Sequence, residues 1–167
     1  MKRWYRIALA LMLMSTAPYS LDAQEAAAHP DATVLFVCEH GTVRSVLAKI
    51  LFEQYAAEVG LPMRAVSRGT HADAEVPAWM QQGLAADHVA LGSWRPQTLR
   101  LRDLATASYV VSFDVPPAAT AAARAARAQW DGLPSVRRDY ATGRDAIKAR
   151  VHQLVDSLKR AAGPGRR

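Results

Sequence analysis

The stretch Thr33-Val34-Leu35-Phe36-Val37-Cys38-Glu39-His40-Gly41-Thr42-Val43-Arg44-Ser45 decides how the rest of the chain is read. Its first six residues form an unbroken apolar and β-branched run, the composition of a strand buried on both faces. Glu39 to Val43 make a short turn. Beyond it Val46, Leu47, Ile50, Leu51, Tyr55 and Val59 recur at helical spacing until Gly60 and Pro62 stop the pattern. Strand, tight loop and helix open an α/β domain with a parallel sheet, where ligands bind beyond the carboxyl ends of the strands. Cys38 ends the first strand, so its loop is where a site is expected.

Working outward, Met63 to Ser67 reads as a second strand closed by Arg68-Gly69-Thr70, and Ser108 to Phe113 as a third. Helices are expected over Pro77 to Ala86 and near Thr98 to Leu104. The alanine-rich segment Ala118 to Ala128 has very high helix propensity and reads as a covering helix with Arg124 and Arg127 on one face. A fourth short strand near Ala128 to Trp130 is left open. The final helix carries Ile147, Val151, Leu154, Val155 and Leu158 on one side, before Gly163-Pro164-Gly165.

The chain has 167 residues, room for one domain, and is 50% apolar and 22% charged, which excludes wholesale disorder. One cysteine excludes a disulfide framework and a multi-cysteine zinc site. The net charge of +6 favours anionic partners, but no aromatic-interleaved basic motif accompanies it, and no nucleic-acid partner is expected. Lys2, Arg3 and Arg6 ahead of apolar Ile7 to Met14, with Leu21-Asp22-Ala23 before Gln24, have the layout of a cleaved signal peptide. The apolar run is well short of the ~20 residues that span a bilayer. The expected organisation is a signal peptide over 1–23, a lead-in over 24–32, an α/β domain over 33–160 and a basic tail over 161–167. A periplasmic or secreted protein follows, with no stable membrane association once the signal is removed.

The loop has the spacing Cys-x5-Arg-Ser. Five residues between a strand end and a helix start wrap into a half-ring whose backbone N–H groups converge, and the helix N-terminus adds unpaired donors and its positive dipole end. Such a nest suits a tetrahedral oxyanion, bound by Glu39, His40, Gly41, Thr42, Val43, Arg44 and Ser45. Arg44 brings a planar fork that a lysine lacks. Cys38 lies beneath the anion, and the donors that hold phosphate also stabilise a thiolate. Gly41 is free to take the positive φ that turns the N–H groups inward.

This segment resembles the phosphate-binding loop of the low-molecular-weight protein tyrosine phosphatases and the related arsenate reductases, an apolar strand followed by Cys-x-Gly-Asn-x-Cys-Arg-Ser and a helix. Ser67-Arg68-Gly69-Thr70 resembles their Ser-Ala-Gly-Thr, and Tyr109 to Asp114 their third strand. The resemblance implies a doubly wound, four-stranded parallel sheet flanked by helices. It also implies a two-step phosphatase mechanism with Cys38 as nucleophile, Arg44 as phosphate clamp and Ser45 as partner of the thiolate. Val43 stands where the family has a second cysteine, His40-Gly41 where it has Gly-Asn, and the chain contains no Asp-Pro pair, where the family carries its acid. Trp130-Asp131-Gly132-Leu133-Pro134 corresponds to that region. Asp131 is the first candidate for the acid, followed by Asp114 and Asp139.

Three functional readings result. The first is an exported cysteine phosphatase acting on a phosphorylated protein or a small aryl phosphate. The second is an arsenate reductase that uses an external thiol, because the chain has no second cysteine. The third is a non-catalytic oxyanion-binding module. His40 either donates to the bound anion or points to solvent. Trp79, Trp94 and Trp130 are expected in the core, with a cleft rim as the alternative. His71, Asp73 and Glu75 lack metal-ligand spacing, so neither metal nor cofactor is expected.

Overall fold

The computed structural model describes residues 32–163. The expected signal peptide and most of the lead-in and basic tail lie outside these residues. Four parallel strands, β1 (Thr33–Cys38), β2 (Arg64–Gly69), β3 (Tyr109–Ser112) and β4 (Ala126–Gln129), form one sheet in the order β2-β1-β3-β4. Four α-helices cover it: α1 (Arg44–Glu58), α2 (Ala78–Ala86), α3 (Leu101–Thr106) and α4 (Tyr140–Ala162). This is the doubly wound α/β fold that the β1 sequence and its neighbours imply.

The unbroken apolar run of β1 has its reason in the sheet order. With β2 on one side and β3 on the other, β1 is central, and its side chains alternate between two cores. Val34 and Phe36 join a cluster with Phe52 of α1, Met80 of α2, Trp130, and Ile147 and Val151 of α4. Leu35 and Val37 face the other way, onto Leu104 of α3, Ala107 and Val110. Full burial of each large side chain contributes roughly 1.5–3 kcal/mol. Phe36 also packs against Trp130 at 6.2 Å, and Phe113 meets that indole edge-on at 5.5 Å. Trp130 is a core residue, as expected, whereas Trp79 and Trp94 are only half-buried.

The alanine-rich segment departs from expectation. Pro117–Thr120 makes a 3-10 turn, and the chain then runs into β4 rather than a covering helix. β4 pairs with β3 from Tyr109↔Ala126 to Ser112↔Gln129. Backbone pairing to an existing strand overrides alanine's local preference. Arg124 and Arg127 consequently share no helical face. The fourth strand begins two residues earlier than the stretch left open for it and ends before Trp130.

β1 and β2 are in register from Thr33↔Arg64 to Cys38↔Gly69, which brings the loop after β1 against the end of β2. The approach is backbone to backbone. A Cβ on Gly41 would lie 2.8 Å from Gly69 N, and one on Gly69 would lie 2.8 Å from Gly41 N. Gly41 has φ +68°, the inward turn that the loop requires. Thr70, His71 and Asp73 donate their N–H groups to the carbonyls of Cys38, Glu39 and His40, at 3.0, 2.8 and 3.1 Å. The loop therefore leans on the turn after β2 along its first half.

Candidate active site

A cavity of about 360 Å³ opens at the carboxyl edge of the sheet. The loop contributes Cys38, Glu39, His40, Thr42, Val43 and Arg44 to its lining. The turn after β2 and the start of α2 add Asp73, Pro77 and Trp79, and the end of β3 adds Phe113 and Asp114. Ser135, Val136 and Arg137, ahead of α4, close the remaining side.

Cys38 is buried and sits at the base of the loop. Gly41 donates its N–H to Cys38 Sγ at 3.2 Å, and Ser45 Oγ lies 3.1 Å from the same sulfur. Ser45 is fully buried in the first turn of α1. Gly41 and Ser45 thus lie beneath the cavity, on the sulfur, rather than in its lining. Helix α1 has no side-chain cap on its first turn. Its opening N–H groups therefore remain for an incoming anion, together with the positive end of the helix dipole.

Arg44 reaches across the opening. One guanidinium nitrogen forms an ion pair with Asp114 Oδ2, and the other donates to the Leu133 carbonyl at 3.4 Å. Asp114 has φ +47°, unusual for a residue with a side chain, and two hydrogen bonds hold it there. Its N–H donates to Asp131 Oδ1 at 2.8 Å, and its own Oδ1 accepts from Gly132 N–H at 3.0 Å. The two loops that follow β3 and β4 are thereby tied to each other.

The three carboxylates proposed for the acid are thus separated. Asp114 lines the cavity on Arg44. Asp131, the first choice from the sequence, is not part of the lining and braces Asp114 from behind. Asp139 is the N-cap of α4, accepting from Thr142 N–H at 3.0 Å and Thr142 Oγ1 at 2.7 Å. The Thr142 bonds hold its carboxyl below the usual range. The arginine–aspartate pair spans 70 positions of sequence (44 to 114), and no local pattern marks it.

His40 borders the cavity, with its side chain 56% exposed to solvent. Its Nδ1 is 3.2 Å from Asp73 Oδ1, and Asp73 Oδ2 accepts from Thr42 Oγ1 at 3.3 Å. Asp73 plays this part without any sequence motif to announce it. Among the described residues, no group of three His, Cys, Asp or Glu side chains is placed to hold a metal ion.

A family model described as low molecular weight phosphotyrosine protein phosphatase matches residues 33–132, from β1 to the loop after β4. The chain belongs to the low-molecular-weight phosphotyrosine protein phosphatase family. Solved structures with the family's fold resemble it over most of their length. One is a low molecular weight protein tyrosine phosphatase from Bacillus subtilis, with 22% identity, 77% of this chain and 97% of that one covered, and a TM-score of 0.64. An arginine phosphatase from Geobacillus stearothermophilus gives 18%, 81%, 99% and 0.63. A thioredoxin-dependent arsenate reductase from Corynebacterium glutamicum gives 21%, 83%, 67% and 0.62. At these identities the likeness is one of fold, and it spans phosphatases and reductases. No curated protein matches the sequence.

Proposed function

We propose that this protein is a cysteine-dependent phosphatase of aryl phosphates, acting on phosphotyrosine-like groups of a protein or on a small ester. The observation that carries the reading is Cys38 Sγ at the base of the cavity, with Gly41 N–H and Ser45 Oγ directed at it and Arg44 above. The phosphoryl group enters the loop, its oxygens meet the N–H groups of the first turn of α1, and Arg44 exchanges Asp114 for two of them. The Cys38 thiolate attacks phosphorus, forming an S–P bond as the P–O bond to the aryl group breaks. Trp79, Pro77 and Phe113 provide an apolar wall for the ring.

The leaving oxygen takes a proton, and we assign its donor to Asp114. A dianion seated on Arg44 removes that carboxylate's counter-ion and adds a like charge beside it, which favours the protonated form. Asp131 fixes the backbone of Asp114. Water then attacks phosphorus and gives a proton to the Asp114 carboxylate, the S–P bond breaks back to thiolate with Ser45 donating to the departing sulfur, and inorganic phosphate leaves. Export to the periplasm or beyond is part of the proposal and rests on Lys2, Arg3, Arg6 and the apolar run after them.

Para-nitrophenyl phosphate hydrolysis under reducing conditions tests the reading. Turnover is expected in the native chain and not in Cys38→Ser. Asp114→Asn is expected to lower kcat roughly 10²–10⁴-fold and Asp131→Asn less. Equal loss in both, or a larger loss in Asp131→Asn, would move the acid to Asp131. Two observations favour a second reading, an oxyanion-binding module without turnover: Arg44 is engaged by a carboxylate, and Asp131 is turned to the backbone. Absent turnover, with phosphate still protecting Cys38 from alkylation, selects it. An external thiol that supports arsenate reduction selects the arsenate-reductase reading.

A further inference from the structure

The loop built for an oxyanion has an acidic rim. Glu39 and Asp73 both line the cavity, and His40 stands between them. The imidazole has Nδ1 3.2 Å from Asp73 Oδ1 and Nε2 3.7 Å from Glu39 Oε2. Asp73 is itself fixed, since its N–H donates to the His40 carbonyl at 3.1 Å and its Oδ2 accepts from Thr42 Oγ1 at 3.3 Å. With a neutral imidazole this solvent-exposed rim sets two carboxylates against an arriving dianion, in a cavity that Arg44 and Arg137 also line. With a charged one, the net charge of the three side chains falls from two negative to one.

Resting on the oxyanion-binding reading above, we infer that His40 is the charge switch of this site. Its protonated form admits a dianionic ligand and its neutral form opposes one, while Asp73 is the positioning residue that keeps the ring at the mouth. The step is a proton exchange between the imidazole and solvent, with no other bond made or broken. Other charged or titratable groups face the same space. They are Arg44 on α1, Asp114 after β3 and Arg137 before α4; His71, in the turn after β2, is outside the lining, with Nδ1 3.3 Å from Thr70 Oγ1. Between about pH 5.5 and 8, arginine and carboxylate side chains as a class keep their charge, and imidazole is the side-chain type that changes it.

The probe is sulfate, which stays dianionic throughout that range, titrated at constant ionic strength into Cys38→Ser so that no thiol titrates. Loop amide shifts in NMR report binding. Sulfate is expected to bind about 5- to 10-fold tighter at pH 5.5 than at pH 8. His40→Gln is expected to abolish most of that difference, His71→Gln to keep it, and His40→Arg to bind tightly at both values. Asp73→Asn is expected to tighten binding at pH 8, because a rim carboxylate is gone, where a purely structural role would weaken it. An unchanged pH dependence in His40→Gln, or its loss in His71→Gln, overturns the switch while leaving the oxyanion site standing. No amide shift at any pH overturns both.

Discussion

At the scale of single residues, the site turns on what surrounds one sulfur. Cys38 Sγ has a backbone donor from Gly41 and a hydroxyl from Ser45, both buried, so neither contact is shared with bulk water. A buried hydrogen bond to a charged acceptor contributes about 1.5–3 kcal/mol. Under the proposed mechanism the Ser45 contact counts twice, at the attacking thiolate and again when sulfur leaves phosphorus. Ser45→Ala is therefore expected to lower kcat about 10- to 100-fold and to change KM little. Pre-steady-state release of nitrophenol checks this, because a slowed second step leaves phosphocysteine to accumulate behind a burst. A loss of rate without a burst would place the effect of Ser45 on the first step. Cys38, Gly41, Arg44 and Ser45 were legible in the sequence because a strand end, five residues and a helix start fix their neighbourhood locally. Asp73 and Asp114 were not assigned their contacts, because these come from turns 31 and 70 positions along the chain from Thr42 and Arg44.

At the scale of elements, β1 and α4 declared themselves through apolar pattern, and β4 did not. Its residues Ala-Arg-Ala-Gln are mostly exposed at the sheet edge, so no buried periodicity separates them from a helix. Only the pairing with β3 makes them a strand. Helix α3 poses the opposite problem, since its six residues are too few to be stable alone. It is held by Asp103, whose two oxygens receive Arg68 Nε at 3.0 Å and Nη2 at 3.2 Å, while Arg100 N–H donates to Oδ2 at 2.9 Å. The Arg68 and Asp103 side chains are only 15% and 9% exposed. Burial works to raise the Asp103 carboxyl, but the Arg68 fork and the Arg100 N–H outweigh it and hold the group below the usual range. A carboxyl lowered on folding stabilises above its unfolded value near ~3.9, and that stability is lost as pH falls through the folded value. Asp103→Asn is expected to cost about 3 kcal/mol at pH 7, because it leaves Arg68 largely buried and unpaired. The gap in urea stability between the two proteins is expected to narrow at pH 3. A constant gap from pH 7 to pH 3 would mean that packing, not charge, carries the contact.

At the scale of the whole molecule, the cavity is assembled from every loop on the carboxyl edge of the sheet, after β1, β2, β3 and β4. Ligand binding there is consequently coupled to the stability of the entire fold, not of one loop. Anything that binds the native chain and not the unfolded one stabilises it by RT ln(1 + [L]/Kd), about 2.7 kcal/mol at a hundredfold excess over Kd. For a domain of this size, that corresponds to a rise in Tm of about 10 °C with saturating inorganic phosphate. The rise is expected to survive in Cys38→Ser, whose loop donors and Arg44 are intact, and to fall by more than half in Arg44→Lys, which has a point charge in place of a fork. Arg44→Lys also alters the contact with Asp114 in the free protein. The quantity that decides is therefore the phosphate-induced shift and not the Tm of the variant alone. Scanning calorimetry with phosphate against chloride of equal ionic strength measures it. An equal shift in both variants and the native chain would mean that phosphate binds elsewhere on this basic protein, and that the β1 loop does not hold the anion.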